Sequence, residues 1–103
     1  MAGKGERPAA LRREGDRLVM EGAVTVHSAP DLFARLPELL VDPPAALEID
    51  CSGLEGADSA ALALLVELAR ALAARGAQFA VRGLDPHLER LARLYGIEWI
   101  LDG

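Results

Sequence analysis

The chain has 103 residues and a formal net charge of −5, with 51% of its residues hydrophobic and 26% charged. These values indicate one globular domain, and the acidic balance argues against a nucleic-acid ligand, because phosphate backbones are bound by clustered Lys and Arg. The single cysteine, Cys51, excludes an internal disulfide and a metal site built from several cysteines. No apolar run approaches the ~20 residues that a membrane-spanning helix needs.

The chain starts with "MAGKGERPAA", which has basic residues but no apolar segment that would make it a secretory signal. We expect residues 1–10 to form a flexible tail, residues 11–103 to form the domain, and the protein to be cytoplasmic.

The segment "LRREGDRLVMEGAV" predicts two short strands around a turn at Gly15 and Asp16. Leu18 and Met20 alternate there with charged residues, as in a strand with one buried side. The next segment, "HSAPDLFARLPELL", predicts a helix capped by Ser28. Pro37 cannot donate a backbone hydrogen bond, so we expect a kink or a tight end near it.

Two strands and two helices are predicted in the second half of the chain. The strand "ALEIDCSGL" precedes the helix "DSAALALLVELARALAARG", which ends before Gly76. The strand "AQFAVRGL" precedes the helix "DPHLERLARLYG", with Asp85 as its cap, Pro86 in its first turn and Gly96 as its stop. The final "IEWILDG" predicts a short closing element.

The predicted order of elements is β-β-α-β-α-β-α. Strands separated by helices need crossover connections, so the inner strands should be parallel, with helices packed on the sheet. The first two strands should add an antiparallel edge hairpin. The sequence therefore predicts an α/β fold with a mixed, mostly parallel sheet.

The helix that follows Asp58 has one broad apolar side on a helical wheel, made of Ala61, Leu62, Leu65, Leu68, Ala69 and Leu72. The opposite side carries Ser59, Ala60, Ala63, Glu67, Arg70 and Ala74. Its first two turns hold only Ser and Ala. Small side chains would let a partner approach closely, although alanine is also simply the best helix former.

Asp58 is predicted to cap this helix by accepting hydrogen bonds from its free N–H groups. Ser59 has no base near it in sequence, and the two histidines, His27 and His87, stand beside prolines at predicted helix starts. We therefore expect no catalytic residue, no metal site and no cofactor.

The stretch "LEIDCSGLEGADSAALALLVELARALAARG" resembles the signature of STAS domains, in which a strand and a short loop lead to Asp-Ser or Asp-Thr at a helix start. The closest likeness is to the MlaB type, whose pattern reads Asp-Thr-Gly-Gly-Leu-Ala-Leu-Leu. Here Asp58 to Leu65 reads Asp-Ser-Ala-Ala-Leu-Ala-Leu-Leu. The stretches "VRGL" and "LARLYG" also resemble this type, and the likeness runs from Leu11 to the end of the chain.

The resemblance implies a STAS fold and a non-catalytic cytoplasmic subunit of a phospholipid-transport ABC complex, which maintains outer-membrane lipid asymmetry. Its direct partner would be the ATPase subunit (MlaF-like), in a complex with permease (MlaE-like) and substrate-binding (MlaD-like) subunits. The protein would then lie at the inner membrane without inserting into it. The residues implied for the ATPase contact, taken with the wheel, are Asp58, Ser59, Ala60, Ala63, Glu67 and Leu94.

The last helix places Tyr95 on its predicted core side, with Leu88, Leu91 and Ala92. Leu94 falls on the outward side, where it could join the partner contact or pack under the tail "IEWILDG". We expect the tail contact.

The resemblance leaves a second function open. Other STAS proteins are anti-sigma-factor antagonists that carry Asp-Ser-Ser-Gly-Leu and are phosphorylated on the second serine. That position is Ala60 here, so no phosphorylation is expected, and Ser59 remains the alternative acceptor. Direct binding of a small ligand or lipid is a third hypothesis, which no feature of the sequence supports.

Overall fold

The structure is a computed structural model that describes residues 7–101. Its order of strands and helices agrees with the prediction. The strands are β1 (Ala10–Glu14), β2 (Arg17–Gly22), β3 (Ala46–Leu54) and β4 (Gln78–Arg82). The helices are α1 (Ala29–Ala34), α2 (Leu36–Leu39), α3 (Ala60–Ala74) and α4 (Pro86–Leu94). A 3₁₀ turn, Glu98–Leu101, forms the predicted short closing element.

The four strands form one sheet in the order β1-β2-β3-β4. β1 and β2 pair antiparallel, whereas β2 with β3 and β3 with β4 pair parallel. The predicted mixed sheet with an antiparallel edge hairpin is therefore confirmed. Right-handed crossovers between neighbouring parallel strands place their helices on the same face of the sheet.

Burial along β3 shows which face the helices cover. Leu47, Ile49 and Cys51 are buried, while Glu48 and Asp50 between them are only half-buried. The helix-covered face supplies the core. Twelve large side chains are fully buried there, ten of them leucines: Leu11, Leu18, Met20, Leu40, Leu47, Ile49, Leu62, Leu64, Leu65, Leu68, Leu72 and Leu88.

The other face of the sheet is charged. Arg12 pairs with Glu14 and Glu21, each at 2.7 Å, and Arg17 reaches Glu14 at 3.6 Å and Asp50 at 4.0 Å. Exposed pairs such as these contribute little to stability. They make this face mainly polar, although Val19, which pairs in register with Arg12 and Asp50, also lies on it.

The edge strand β1 is covered by two arginines. The guanidinium of Arg35 donates to the carbonyl oxygen of Leu11 at 2.6 Å. Arg13 donates to the carbonyl oxygens of Leu39 at 3.2 Å and Val41 at 2.6 Å, near the end of α2. Both side chains therefore tie the first edge of the sheet to the α1–α2 segment.

The first helical segment breaks at Arg35, near Pro37 as predicted. α1 ends at Ala34, and the N–H of Arg35 turns back to the carbonyl of Leu32 at 3.0 Å. α2 then restarts at Leu36, with Pro37 in its first turn, where a proline lacks only a donor that would be unpaired anyway.

The predicted boundary between tail and domain is too late. Ala10 already belongs to β1, and the N–H of Ala23 donates to the carbonyl of Arg7 at 3.0 Å. The backbone at Pro8 passes so close to Gly22 that a Cβ there would collide with it. Gly22 also has φ of +78°, a left-handed conformation that favours glycine. The rest of the predicted tail, residues 1–6, lies outside the described residues, as do residues 102 and 103.

Candidate docking surface

The candidate site lies where β3 ends and α3 begins, at the edge of the sheet formed by the carboxyl ends of the parallel strands. Two backbone hydrogen bonds fix the connecting loop. The N–H of Glu55 donates to the carbonyl of Gly22, and that of Asp58 to the carbonyl of Val24, both at 3.1 Å. The start of α3 is thus attached to the segment that follows β2.

Asp58 uses both carboxylate oxygens to hold this junction. Oδ1 accepts from the N–H of Ala60 at 2.8 Å, and Oδ2 accepts from the N–H of Val26 at 3.4 Å. The formal N-cap of α3 is the next residue, Ser59, whose side chain makes no capping bond. Asp58 therefore provides the capping acceptor from one position earlier and joins two loops that are far apart in sequence.

Ser59 projects its side chain outward. It has helical backbone angles (φ −62°, ψ −13°), and its carbonyl accepts from the N–H groups of Leu62 and Ala63. Its hydroxyl makes no hydrogen bond with any residue from 7 to 101. The exposed hydroxyl is consequently available to another molecule.

Ala60 does not lie on the outward face, contrary to the prediction: it is 9% exposed and counts as buried. Leu64, one turn further, is fully buried on the same side of the helix. The wheel took account of packing against the sheet alone, whereas α1 also packs against α3. A second covered side narrows the exposed part of the helix.

One row of side chains remains exposed along the first half of α3. It consists of Ser59, Ala63 and Glu67, spaced four residues apart, and we call it the α3 row. Glu67 forms an exposed ion pair with Arg70 at 3.8 Å. Val26 is 62% exposed, and its N–H contacts Asp58, so an apolar side chain adjoins the row. The sequence analysis missed Val26 because a single valine in a loop has no periodic pattern.

The end of α4 exposes further apolar side chains. Leu94 is 75% exposed and Tyr95 55%, followed by Trp99 at 45%. Two predictions were wrong here. Leu94 does not pack under the described part of the C-terminal segment, which ends at Leu101. Tyr95 is not in the core. α4 ends at Leu94, and Tyr95 occupies its C-cap, so the helical wheel no longer describes its direction.

Two neighbouring titratable groups on β3 have shifted pKa values. The pKa of Asp50 is lowered by the N–H of Ser52, at 3.0 Å, and then by the hydroxyl of Ser52, at 2.7 Å. Burial, with the charge of Asp50 as a smaller cause, raises the pKa of the Cys51 thiol to about 12. Cys51 therefore behaves as a small buried hydrophobe.

Three further properties of the described residues concern metal-ligand groups, surface depressions and membrane spans. Between Arg7 and Leu101, no three His, Cys, Asp or Glu side chains are grouped so that they could hold a metal ion. Two surface depressions lie around Gln78 and Phe79, at the start of β4 and so at the opposite edge of the sheet from Ser59. Over the same range, each helix is too short or too polar to span a bilayer.

Comparison with protein families identifies the chain. Residues 9–102 match the family model described as "Mlab, STAS domain". The chain belongs to this STAS family. The resemblance found in the Asp58–Ser59 signature is thereby confirmed, and so is the predicted STAS fold. The match begins at Ala9, which agrees with the ordered backbone before β1. No curated protein matches the chain.

Within this STAS domain, the Asp-Ser signature lies between the end of β3 and the start of α3, whose first half exposes only the α3 row. The aspartate stabilises the junction and the serine faces outward. Ala60, which the resemblance matches to the acceptor serine of phosphorylated STAS proteins, is buried.

Proposed function

We propose that this STAS protein is a non-catalytic subunit of a phospholipid-transport ABC complex of the Mla type. It would bind the ATPase subunit (MlaF-like) and stabilise its assembled, active state, on the cytoplasmic side of the inner membrane. The observation that carries the proposal is the α3 row, with its exposed, unbonded serine hydroxyl at a helix start that the fold holds in place.

A fixed helix start favours binding because little conformational freedom is left to lose. The loop before α3 is held by backbone bonds from Glu55 and Asp58, and the Asp58 carboxylate adds two more. Ser59 and Ala63 are small, so a partner helix could approach the backbone of α3 closely. Preorganised surfaces of this kind lose less entropy on association.

Leu94 and Tyr95 would supply the apolar part of the contact. Both are large, exposed and adjacent at the end of α4, and exposed apolar clusters on soluble domains often mark protein interfaces. α3 and α4 both follow strands of the parallel sheet and cover the same face. Since both helices begin at the edge formed by the carboxyl ends of the strands, a partner that contacts the α3 row and the end of α4 would have to extend along the helices.

Co-purification with an MlaF-like ATPase subunit tests the proposal. Ser59→Arg places a long cation in the α3 row without removing a hydrogen bond, so the domain should stay folded while retention of the ATPase is lost. Ala74→Arg is the matched control, since Ala74 is exposed near the far end of the same helix. Retention of the ATPase by the Ser59→Arg variant, with circular dichroism unchanged, would place the interface elsewhere.

The alternative is an anti-sigma-factor antagonist switched by phosphorylation. The observation that favours it is the same exposed hydroxyl of Ser59, because a phosphate at a helix start is stabilised by free N–H groups and the helix dipole. Intact-mass measurement of protein purified from its own cells separates the two functions. A phosphorylated species that disappears in Ser59→Ala supports the antagonist, whereas an unmodified protein bound to an ABC ATPase supports the transporter subunit.

A further inference from the structure

Two arginines differ from the rest in having nothing to bind within the described chain. The eleven basic residues of the sequence are Lys4 and ten arginines. Eight arginines direct the guanidinium to a carboxylate or a carbonyl: Arg7, Arg12, Arg13, Arg17, Arg35, Arg70, Arg75 and Arg82. The guanidinium groups of Arg90 and Arg93 form neither an ion pair nor a hydrogen bond with residues 7–101. Both are exposed, and both lie on α4.

The two arginines flank Leu94, the most exposed large apolar side chain between Arg7 and Leu101. Leu94 follows Arg90 by four residues, so the two side chains share one side of the helix, and Arg93 directly precedes Leu94. Glu89 stands four residues before Arg93, a spacing that often gives an ion pair, yet the structure forms none between them. An apolar centre with a polar, charged rim is the usual arrangement of a protein interface.

We propose that Arg90 and Arg93 pair with carboxylates of the partner, so that the surface received by the end of α4 is acidic. This inference rests on the proposed function and names the chemistry of the ATPase surface that faces α4. The guanidinium groups would form charge-assisted bonds to Asp or Glu side chains around the apolar contact of Leu94 and Tyr95.

Charge complementarity favours an acidic protein over the other possible occupants. A basic residue near an anionic bilayer contributes about 1 kcal/mol, so two of them would have to hold a chain whose net charge is −5. A second copy that placed its own α4 opposite this one would bring four guanidinium groups together. An acidic protein surface meets neither obstacle.

Rim charges act mainly on the rate of association and on its salt dependence. The test uses the full chain and the purified ATPase subunit, with association rates measured at about 50 mM and about 300 mM NaCl, where screening lengths differ more than twofold. The variant Arg90→Glu/Arg93→Glu is compared with Arg75→Glu/Arg82→Glu, which changes the net charge equally and leaves α4 intact. Circular dichroism confirms that both variants fold.

We expect the α4 variant to associate roughly tenfold more slowly than the control variant at low salt, with the gap narrowing at high salt. Equal rates for the two variants at low salt would overturn the proposal. If Ser59→Arg still abolishes binding in that case, the docking function stands and only the acidic surface is rejected. If the wild-type chain fails to bind the ATPase at all, both proposals fall.

A vesicle-binding experiment distinguishes an acidic protein surface from an anionic membrane surface. The wild-type chain and the Arg90→Glu/Arg93→Glu variant are each sedimented with phosphatidylglycerol vesicles in the absence of the ATPase. If the wild-type chain sediments with the vesicles and the variant does not, the arginines bind lipid and the proposal of an acidic protein partner is overturned. We expect the chain to remain in the supernatant.

Discussion

The starts of α3 and α4 look alike in sequence, since each has an aspartate just before the helix, but they differ in structure. Asp85 is an ordinary N-cap with extended backbone angles, and its Oδ1 accepts from the N–H of Leu88 at 2.9 Å. Asp58 stands one residue before the N-cap and binds the backbone of two separate segments. One aspartate stabilises its own helix, and the other connects two parts of the fold. The difference teaches that an N-terminal aspartate predicts a capping bond without revealing what else it holds.

Replacement of Asp58 should have the largest effect on stability. Asp58→Ala removes the acceptor of Ala60 and releases the loop at Val26, so we expect a loss of about 2 kcal/mol in the free energy of unfolding. Urea denaturation followed by circular dichroism measures it. Retention of the ATPase should weaken as well, because the α3 row depends on this junction. A loss below that of the Asp85 variant would remove the distinction between the two residues.

Replacement of Asp85 should cost less, because only the local cap of α4 is lost. We expect Asp85→Ala to lower the free energy of unfolding by about 1 kcal/mol. The same denaturation experiment applies. If the α3 row is the dominant contact, the Asp85→Ala variant should retain the ATPase as the wild type does. A loss of binding equal to that of Asp58→Ala would show that the start of α4 contributes as much to binding as the start of α3.

The labelling rate of Cys51 is an independent measure of the difference in stability between the Asp58→Ala and Asp85→Ala variants. Its thiol is buried and its pKa is raised to about 12, so at about pH 8 labelling by iodoacetamide requires the chain to open. A difference of about 1 kcal/mol corresponds to roughly fivefold in the opening equilibrium. We therefore expect Asp58→Ala to be labelled roughly fivefold faster than Asp85→Ala. Equal labelling of the two variants would mean that Asp58 does not secure the strand that leads to it.

The smallest expected effects come from replacing each aspartate with asparagine, which has one accepting oxygen instead of two. Asparagine caps helices nearly as well as aspartate, so Asp85→Asn should change the free energy of unfolding by less than about 0.3 kcal/mol. An asparagine at position 58 has one carbonyl oxygen for two N–H donors, so Asp58→Asn should cost about 0.5–1 kcal/mol. Matched thermal denaturation of the two variants measures the gap. Identical midpoints would indicate that the 3.4 Å bond to Val26 contributes nothing.

The sequence was sufficient for several features that local physics controls, although the side chain of Ser28, which was predicted to cap the first helix, makes no capping bond. The hairpin at Gly15 and Asp16, the break near Pro37 and the cap at Asp85 depend on residues within one turn of each other. Their outcome in the structure agrees with the prediction. The family signature added the fold as a whole.

Features that depend on several elements at once were predicted less well. Ala60 is buried because α1 covers a second side of α3, and a wheel drawn for one helix contains no information about another. Tyr95 is exposed because α4 ends one residue before it. The contact of the segment before β1 with the domain was missed because Arg7 is fixed by a backbone bond from Ala23, which involves no side-chain pattern. The hydrogen bond from the N–H of Val26 to Asp58 was also not predicted, because it joins two segments that are far apart in sequence.

The arginines over β1 also bear on how this protein behaves at high concentration. An edge strand with open carbonyl groups can be extended by a strand from another molecule, which is a route to fibrils and to exchanged dimers. Arg35 already occupies the carbonyl of Leu11, and Arg13 anchors the neighbouring chain across the same edge. Growth of a filament from that side would first have to displace both side chains, so the hairpin edge is protected against self-assembly.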